Sequence, residues 1–324
     1  MLYPLKFIPI LKERIWGGTT LAQYGKVLGS STHIGESWEL SAFGEEASMV
    51  AAGALEENDL AELIEVYMGD LVGDHVYERY GNYFPLLFKL ISAEDRLSLQ
   101  VHPNDKVALE KHQCAGKTEM WYVLNAEPGA MLTLGLNRDS SRIELEASIE
   151  DGSFTELLRM VPVKTGDVAL IPAGQLHAIG AGITVVEVQQ ASDITYRLYD
   201  YDRVDDHGNK RELHLADALD VLDYSENKQP LINYAPKENG AVNLVSCEYF
   251  VTNLLSFNRT IERDYAPLDS FVVYSLLEGS CKIETDLGDT TIQKGETVLL
   301  PAITNDVRLI PQTKETRLLE VYVP

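Results

Sequence analysis

One segment of this chain occurs twice, and that repeat limits what the chain can fold into more than any other feature. Gly166-Asp167-Val168-Ala169-Leu170-Ile171-Pro172-Ala173 and Gly295-Glu296-Thr297-Val298-Leu299-Leu300-Pro301-Ala302 share a glycine, an acid, a mostly apolar run, a proline and an alanine. Each copy reads as a turn, a short buried strand and a second turn, because glycine opens the bend and proline ends ladder pairing. A repeated strand unit set among many short alternating runs predicts two related β-barrels in tandem. The copies differ where chemistry would lie. In the first, His177 follows the second turn, whereas the second has Asp306 there and Ile303 in place of Gly174. Only the first barrel is expected to carry functional side chains.

At 324 residues the chain is too long for one ordinary core. The expected division is residues 1–235 and 236–324, with the polar stretch Ser225 to Gly240 as the linker. Helical spacing interrupts the first part. Leu60, Leu63, Ile64 and Met68 recur at threes and fours behind a cap at Asn58 or Asp59. Residues 106–116 predict a short helix closed by Gly116. Ile143, Leu145, Ile149, Phe154, Leu157 and Leu158 predict helix across 140–160, its apolar stripe interrupted at Gly152, and Leu213 to Leu222 predicts another. The net charge of −23, from 27 basic and 50 acidic residues, sets aside nucleic acid and anionic membranes as partners. Lys6, Lys12, Glu13 and Arg14 interrupt the N-terminal apolar residues, and no later run approaches the ~18 residues of a membrane span. Cys114, Cys247 and Cys281 are widely spaced and predict reduced packing cysteines, hence a cytoplasmic protein.

The chemistry concentrates in Ser98-Leu99-Gln100-Val101-His102-Pro103-Asn104-Asp105. Gln100 and His102 are two apart, so on a strand both leave the same face while Leu99 and Val101 pack on the other. An amide oxygen beside an imidazole nitrogen suits a borderline divalent metal. Glu119, on a strand that places Lys117 on the same face, and His177 complete a set of two nitrogen and two oxygen donors. Inward-facing residues of neighbouring strands converge inside a small barrel. Zinc, iron(II) and manganese all accept this mixture. Without a cysteine, the set reads as a catalytic site rather than a closed structural one. The competing reading is a Glu119–Lys117 ion pair beside two hydrogen-bonded histidines.

The spacing Gly166-x5-Pro172-x-Gly174-x2-His177 is similar to the second motif of cupins. The surrounding words resemble type I phosphomannose isomerases of the short bacterial form. They are R-I-W-G-G from Arg14, G-E-S-W-E from Gly35, F-P-L-L-F-K from Phe84, L-S-L-Q-V-H-P-N-D from Leu97, G-K-T-E-M-W-Y from Gly116, P-A-G-Q-L-H-A-I-G from Pro172 and T-Y-R-L-Y-D-Y-D-R from Thr195. They run in consistent order from about residue 10 to 215, while the tail matches only through its repeat. The resemblance implies a mostly β fold of two cupin (jelly-roll) barrels, with a few helices inserted in and beside the first.

The resemblance further implies one zinc ion per chain, held by Gln100, His102, Glu119 and His177. Gln100 replaces the first histidine of a generic cupin, a departure characteristic of this isomerase family. Arg197, Lys117 and Glu187 are the implied catalytic residues. Ser98, Arg203 and Trp16 are the substrate-binding candidates, although Trp16 and Trp38 read as core on residue type alone. Arg203 stands where larger relatives carry a lysine. The implied reaction interconverts mannose 6-phosphate and fructose 6-phosphate through a cis-enediol, with a sugar phosphate as the partner molecule and a homodimer compatible with the chain. An iron-dependent cupin oxygenase and a non-catalytic sugar-phosphate-binding cupin are the alternatives. The cluster of lysine and arginine favours an anionic polyol over an apolar substrate.

Overall fold

The two copies of the repeat fold alike. Gly166 and Gly295 bend the chain at φ 93° and 85°, and the apolar residues after them form the strands Val168–Ile171 and Thr297–Leu300. Each pairs antiparallel with a longer strand, Glu119–Ala126 in the first case and Val272–Glu278 in the second. The registers correspond: Ile171 lies opposite Glu119, and Leu300 lies opposite Val272. The copy that carries a carboxylate in one half therefore carries a valine in the other.

The computed structural model describes residues 1–44, 46–205 and 207–324. It is mostly β, as the repeat predicts, and every sheet in it is antiparallel. In the first part a six-stranded sheet runs in the order Val168–Ile171, Glu119–Ala126, Ile183–Gln190, Leu86–Ala93, Ile34–Leu40 and Ile10–Gly18. A five-stranded sheet runs Leu158–Pro162, Met131–Leu136, His177–Ile179, Leu99–Val101 and Tyr196–Tyr199. Trp121, Ile91, Leu132, Leu134, Ile171 and Val185 fill one shared apolar cluster drawn from these two sheets. The second part repeats the plan with a six-stranded and a four-stranded sheet.

The two parts share a core. Leu5–Lys6, at the start of the chain, pairs with Thr297–Leu300 and so completes the sheet of the second part. Phe84 and Phe271 stack at 4.7 Å between ring centroids within a cluster that also holds Leu5, Leu63, Leu299 and Val321. Lys26 and Glu39, both buried, pair at 2.7 Å, and the same ammonium donates to the carbonyl of Gly295 at 2.7 Å.

The helix predicted at Leu60 is present as Leu60–Tyr67, with Asp59 and Glu62 forming a reciprocal capping box. Two expectations fail locally. The helix after the Gln100 stretch is Asp105–His112, capped by the Asn104 side chain, and it closes at Gln113 in the left-handed region rather than at Gly116. Gly116 is required for a different reason: a Cβ there would lie 2.5 Å from the backbone of Asn104 and Asp105. The stripe across 140–160 splits into the helix Arg142–Asp151, a 3₁₀ turn at Phe154–Leu157 and a strand from Leu158. Gly152, at φ 81°, closes that helix, and Ile143, assigned to the apolar stripe, is 79% exposed. Among the described residues no helix is long and apolar enough to cross a membrane, and Cys114, Cys247 and Cys281 are free.

Candidate active site

The strand Leu99–Val101 lies in the five-stranded sheet between His177–Ile179 and Tyr196–Tyr199. Gln100 is therefore opposite His177 on one side and Arg197 on the other. Leu99 and Val101 are fully buried on the reverse face, as the alternation requires. Glu119 arrives from the six-stranded sheet. His102, Glu119 and His177 converge so that one ligand atom from each lies within 4.8 Å of the others. His102 Nε2 is 3.6 Å from Glu119 Oε2, and His177 Nε2 is 3.3 Å from Glu119 Oε1. The Gln100 amide is 3.4 Å from His177 Nε2, and a half-turn of that amide presents its oxygen to the same point.

This donor set fits a divalent ion. Each histidine bonds a backbone carbonyl through Nδ1, His102 to Ile194 at 2.8 Å and His177 to Gln175 at 2.8 Å. That leaves Nε2 of both rings as the lone-pair nitrogen aimed inward, the orientation a ligating histidine adopts. His102 Nε2 and both oxygens of Glu119 are buried without a hydrogen-bond partner. Orphaned buried polar atoms are costly unless something else satisfies them. The Glu119–Lys117 ion pair of the competing reading is present and faces Oε2, but it leaves His102 Nε2 and Glu119 Oε1 unaccounted for.

Burial sets the protonation of the cluster. It pushes His177 down to about 4 and His102 well below the usual imidazole range, so both rings are neutral near pH 7. Burial, followed by the nearby Glu187 carboxylate, pushes Glu119 up to about 7. Burial opposes the charge on Lys117, but Glu119 and Glu187 outweigh it and hold the ammonium protonated. Lys117 Nζ sits 3.1 Å from Glu119 Oε2.

Beside the cluster opens a cavity of about 440 Å³. Trp16, Ser98, Gln100, Lys117, Glu187 and Arg197 line it, so most of the residues singled out in the sequence meet in one place. Trp16 is both core and wall, being 3% exposed. Glu187 accepts from Trp121 Nε1 through Oε2 at 2.8 Å, while Oε1 lies 3.2 Å from Lys89 Nζ and has no hydrogen-bond partner. Burial raises Glu187, but Lys89 and Lys117 outweigh it and keep the carboxyl ionised. Arg197 donates to the Ser98 hydroxyl at 3.3 Å and to the Glu212 carbonyl at 2.8 Å.

Arg203 behaves differently from the expectation. It is absent from the cavity wall, because Nη2 is drawn to Asp200 at 2.6 Å and Nη1 to Asp95 and the Arg96 carbonyl. Arg14, Glu36, Lys89, Asp193 and Arg211 line the cavity and escaped the sequence reading. Lys89 had a legible signal, a lone lysine within the apolar run Leu86–Ala93. Glu36 had a weaker one, alternating with Trp38 on a strand. Arg14 grips Glu36 through two bonds of 2.8 and 3.0 Å, and Trp38 Nε1 adds a third at 2.8 Å. Burial would raise Glu36, yet Lys89 and Arg14 bring it down to about 2.

Comparison with known proteins decides the family. A family model described as phosphomannose isomerase type I, catalytic domain, matches residues 5–133, a span that includes Gln100, His102, Lys117 and Glu119. The chain is 38% identical over 304 residues to mannose-6-phosphate isomerase ManA of Bacillus subtilis, covering 92% of this chain and 93% of that protein. This chain belongs to the type I mannose-6-phosphate isomerase family. A second family relative, mannose-6-phosphate isomerase of Streptococcus mutans, is 36% identical over 93% of each chain. The crystal structure of the mannose 6-phosphate isomerase from Bacillus subtilis superposes with a TM-score of 0.85 at 32% identity, over 99% of both chains. The apo form of the Salmonella typhimurium family enzyme, at 17% identity and a TM-score of 0.76, shares the fold.

Proposed function

We propose that this family member interconverts mannose 6-phosphate and fructose 6-phosphate through a cis-enediol, with one zinc ion held by Gln100, His102, Glu119 and His177. The observation that carries this reading is the set of buried, unpartnered ligand atoms of His102 and Glu119 beside a cavity lined by Lys117, Glu187 and Arg197. The names of the relatives supply the substrate class. When bound, zinc supplies a Lewis acid that polarises sugar oxygens.

The protein's own residues then divide the work. A proton must leave C2 of the open-chain aldose and return to C1 on the same face. Glu187 is ionised and buried, with no hydrogen-bond donor on Oε1, which suits it to carry that proton. Lys117, held protonated, cannot accept the proton and instead faces the oxygens where negative charge develops. Arg197, opposite Gln100 in the sheet and fixed by Ser98 and Glu212, stabilises the same enediolate from the other side. Trp121 and Lys89 orient Glu187 through the contacts described above. Trp16 closes the apolar wall. On this reading residues 1–235 form the catalytic part, residues 236–324 hold no ligand set, and the enzyme works in the cytoplasm on a small sugar phosphate.

A coupled assay with mannose 6-phosphate, run before and after chelation, tests the proposal. Turnover that disappears on metal removal and returns with zinc supports it. Full activity in protein shown by elemental analysis to be metal-free, or recovery with iron alone, overturns the zinc assignment. Binding of mannose 6-phosphate without turnover by the metal-loaded protein overturns the reaction.

A further inference from the structure

With Arg197 fixed beside Gln100 at the ligand end of the cavity, the sugar's phosphate needs a cation elsewhere on the wall. Arg211 lines the same cavity. Asp200, 5% exposed, holds Arg211 side-on, accepting from Nε at 2.8 Å and from Nη2 at 2.5 Å. Nη1 of Arg211 then has no hydrogen bond among the described residues. Bidentate pairing of this kind fixes the guanidinium plane as well as its position.

The segment carrying Arg211 is stitched to the strand Tyr196–Tyr199. The His214 amide donates to the Arg197 carbonyl at 2.8 Å, the Arg197 amide to His214 Nδ1 at 3.2 Å, and Arg197 Nη1 to the Glu212 carbonyl at 2.8 Å. The two arginines therefore keep a fixed relation to each other. Asp200 also binds Arg203, whose other nitrogen reaches Asp95 and the Arg96 carbonyl. Arg96 in turn stacks on Tyr201 at 3.9 Å, pinning a turn in which Tyr201 and Asp202 both take φ 56°. Arg203 is thus a staple for the loop, whereas Arg211, held by the same carboxylate, lines the cavity.

We infer that Arg211 is the cation that takes the sugar's phosphate, and that Asp200 is the positioning residue that aims it; this rests on the isomerase reading above. The charge balance agrees. Burial, and then the neighbouring Arg211, push the Arg197 guanidinium below its usual range, with Arg203 adding to them. Asp200 and Glu212 only partly offset these like charges. An anion between Arg197 and Arg211 relieves that repulsion. The carboxylates on the wall, Glu36, Glu187 and Asp193, repel an anion from their own sides.

The test uses the metal-loaded full chain with three readouts: KM and kcat for mannose 6-phosphate, the inhibition constant of inorganic phosphate, and phosphate binding by calorimetry. Arg211→Ala is expected to raise KM and the phosphate inhibition constant together, by about tenfold or more for a lost charge-assisted bond, with kcat within about threefold of the parent. Asp200→Ala is expected to reproduce both shifts, and Asp200→Glu to recover part of each, which loss of a merely structural contact would not do. Should Asp200→Ala fail to fold, Asp200→Asn gives the same comparison. Values for Arg211→Ala within twofold of the parent overturn the inference, as does a loss confined to Arg203→Ala. If the parent binds phosphate through Arg211 yet does not turn over mannose 6-phosphate, the anion site stands and the isomerase reading fails.

Discussion

Glu187 and Glu119 are buried carboxylates close enough to perturb each other, and their environments set them to different tasks. Glu187 is kept ionised by two lysines, with Oε1 facing Lys89 and Oε2 bonded to Trp121; Glu119 is lifted by burial, with Oε2 facing Lys117 and Oε1 facing His177. Replacing Glu187 by Gln is expected to lower kcat by about 10²–10⁴-fold while metal content, read by elemental analysis, stays at one ion per chain. An unchanged kcat would remove Glu187 from the proton path. Glu119 gives the pH dependence. With its carboxyl pushed up to about 7, a proton must leave before an ion is bound, so acidification competes with the metal. Zinc affinity should fall about tenfold per pH unit below about 7 and level off above it. His177, near 4, contributes nothing to that slope. Competition against a chelator at pH 5.5 and pH 8 reads the difference, and a flat profile would contradict the assignment. At this scale the grouping of His102, Glu119 and His177, with Gln100 beside His177, was legible because period-two alternation and turn residues fix which face each side chain leaves. Arg14 and Arg211 were not, since their positions depend on which strands become neighbours and on a loop that returns to the sheet.

Elements were read well where local chemistry agrees with packing, as at the capping box before Leu60–Tyr67. They were misread where glycine serves contact rather than capping. Gly116 lies against the backbone at Asn104 and Asp105, so it holds the start of the helix Asp105–His112 beside the chain that leads into Lys117 and Glu119. Gly116→Ala forces backbone to move and should cost about 1–3 kcal/mol, measured by chemical denaturation. Because the same shift displaces Lys117 and Glu119, zinc affinity should fall with stability. A variant as stable as the parent would mean that the loop tolerates the methyl. The 140–160 segment differs for the opposite reason: Gly152 does cap, and the stripe continues beyond it as a 3₁₀ turn and a strand. An apolar residue such as Leu158 fits a helical stripe in sequence, yet here it opens a strand once Gly152 has ended the helix.

At the scale of the molecule, the repeat predicted the tandem plan but not how the parts join. Glu320 stands opposite Tyr274 just as Glu187 stands opposite Trp121, so the second part keeps a buried carboxylate at the corresponding place. There it is taken up by Arg263 through bonds of 2.8 and 3.0 Å and by Tyr265, which leaves no free oxygen for chemistry. The junction itself depends on Lys26. Lys26→Met strands Glu39 in an apolar setting and should destabilise the fold by about 3–5 kcal/mol, with partial recovery on adding Glu39→Gln. Burial already raises Glu39, so in Lys26→Met the folded state binds a proton more tightly than the unfolded chain. The deficit should therefore shrink as pH falls from 8 to 5, and thermal melts at the two values check the sign. Because the cluster around Phe84 and Phe271 is common to both parts, calorimetry should show one transition rather than two.

The pairing of Leu5 with Leu299 and of Lys6 with Val298 has a consequence for biosynthesis. The strand Leu5–Lys6 finds its partner only after the chain through Leu300 has emerged, so during translation it waits with an unpaired edge. A bulky group inserted just ahead of Leu5 would burden this late pairing, in a sheet built mostly from residues far along the chain.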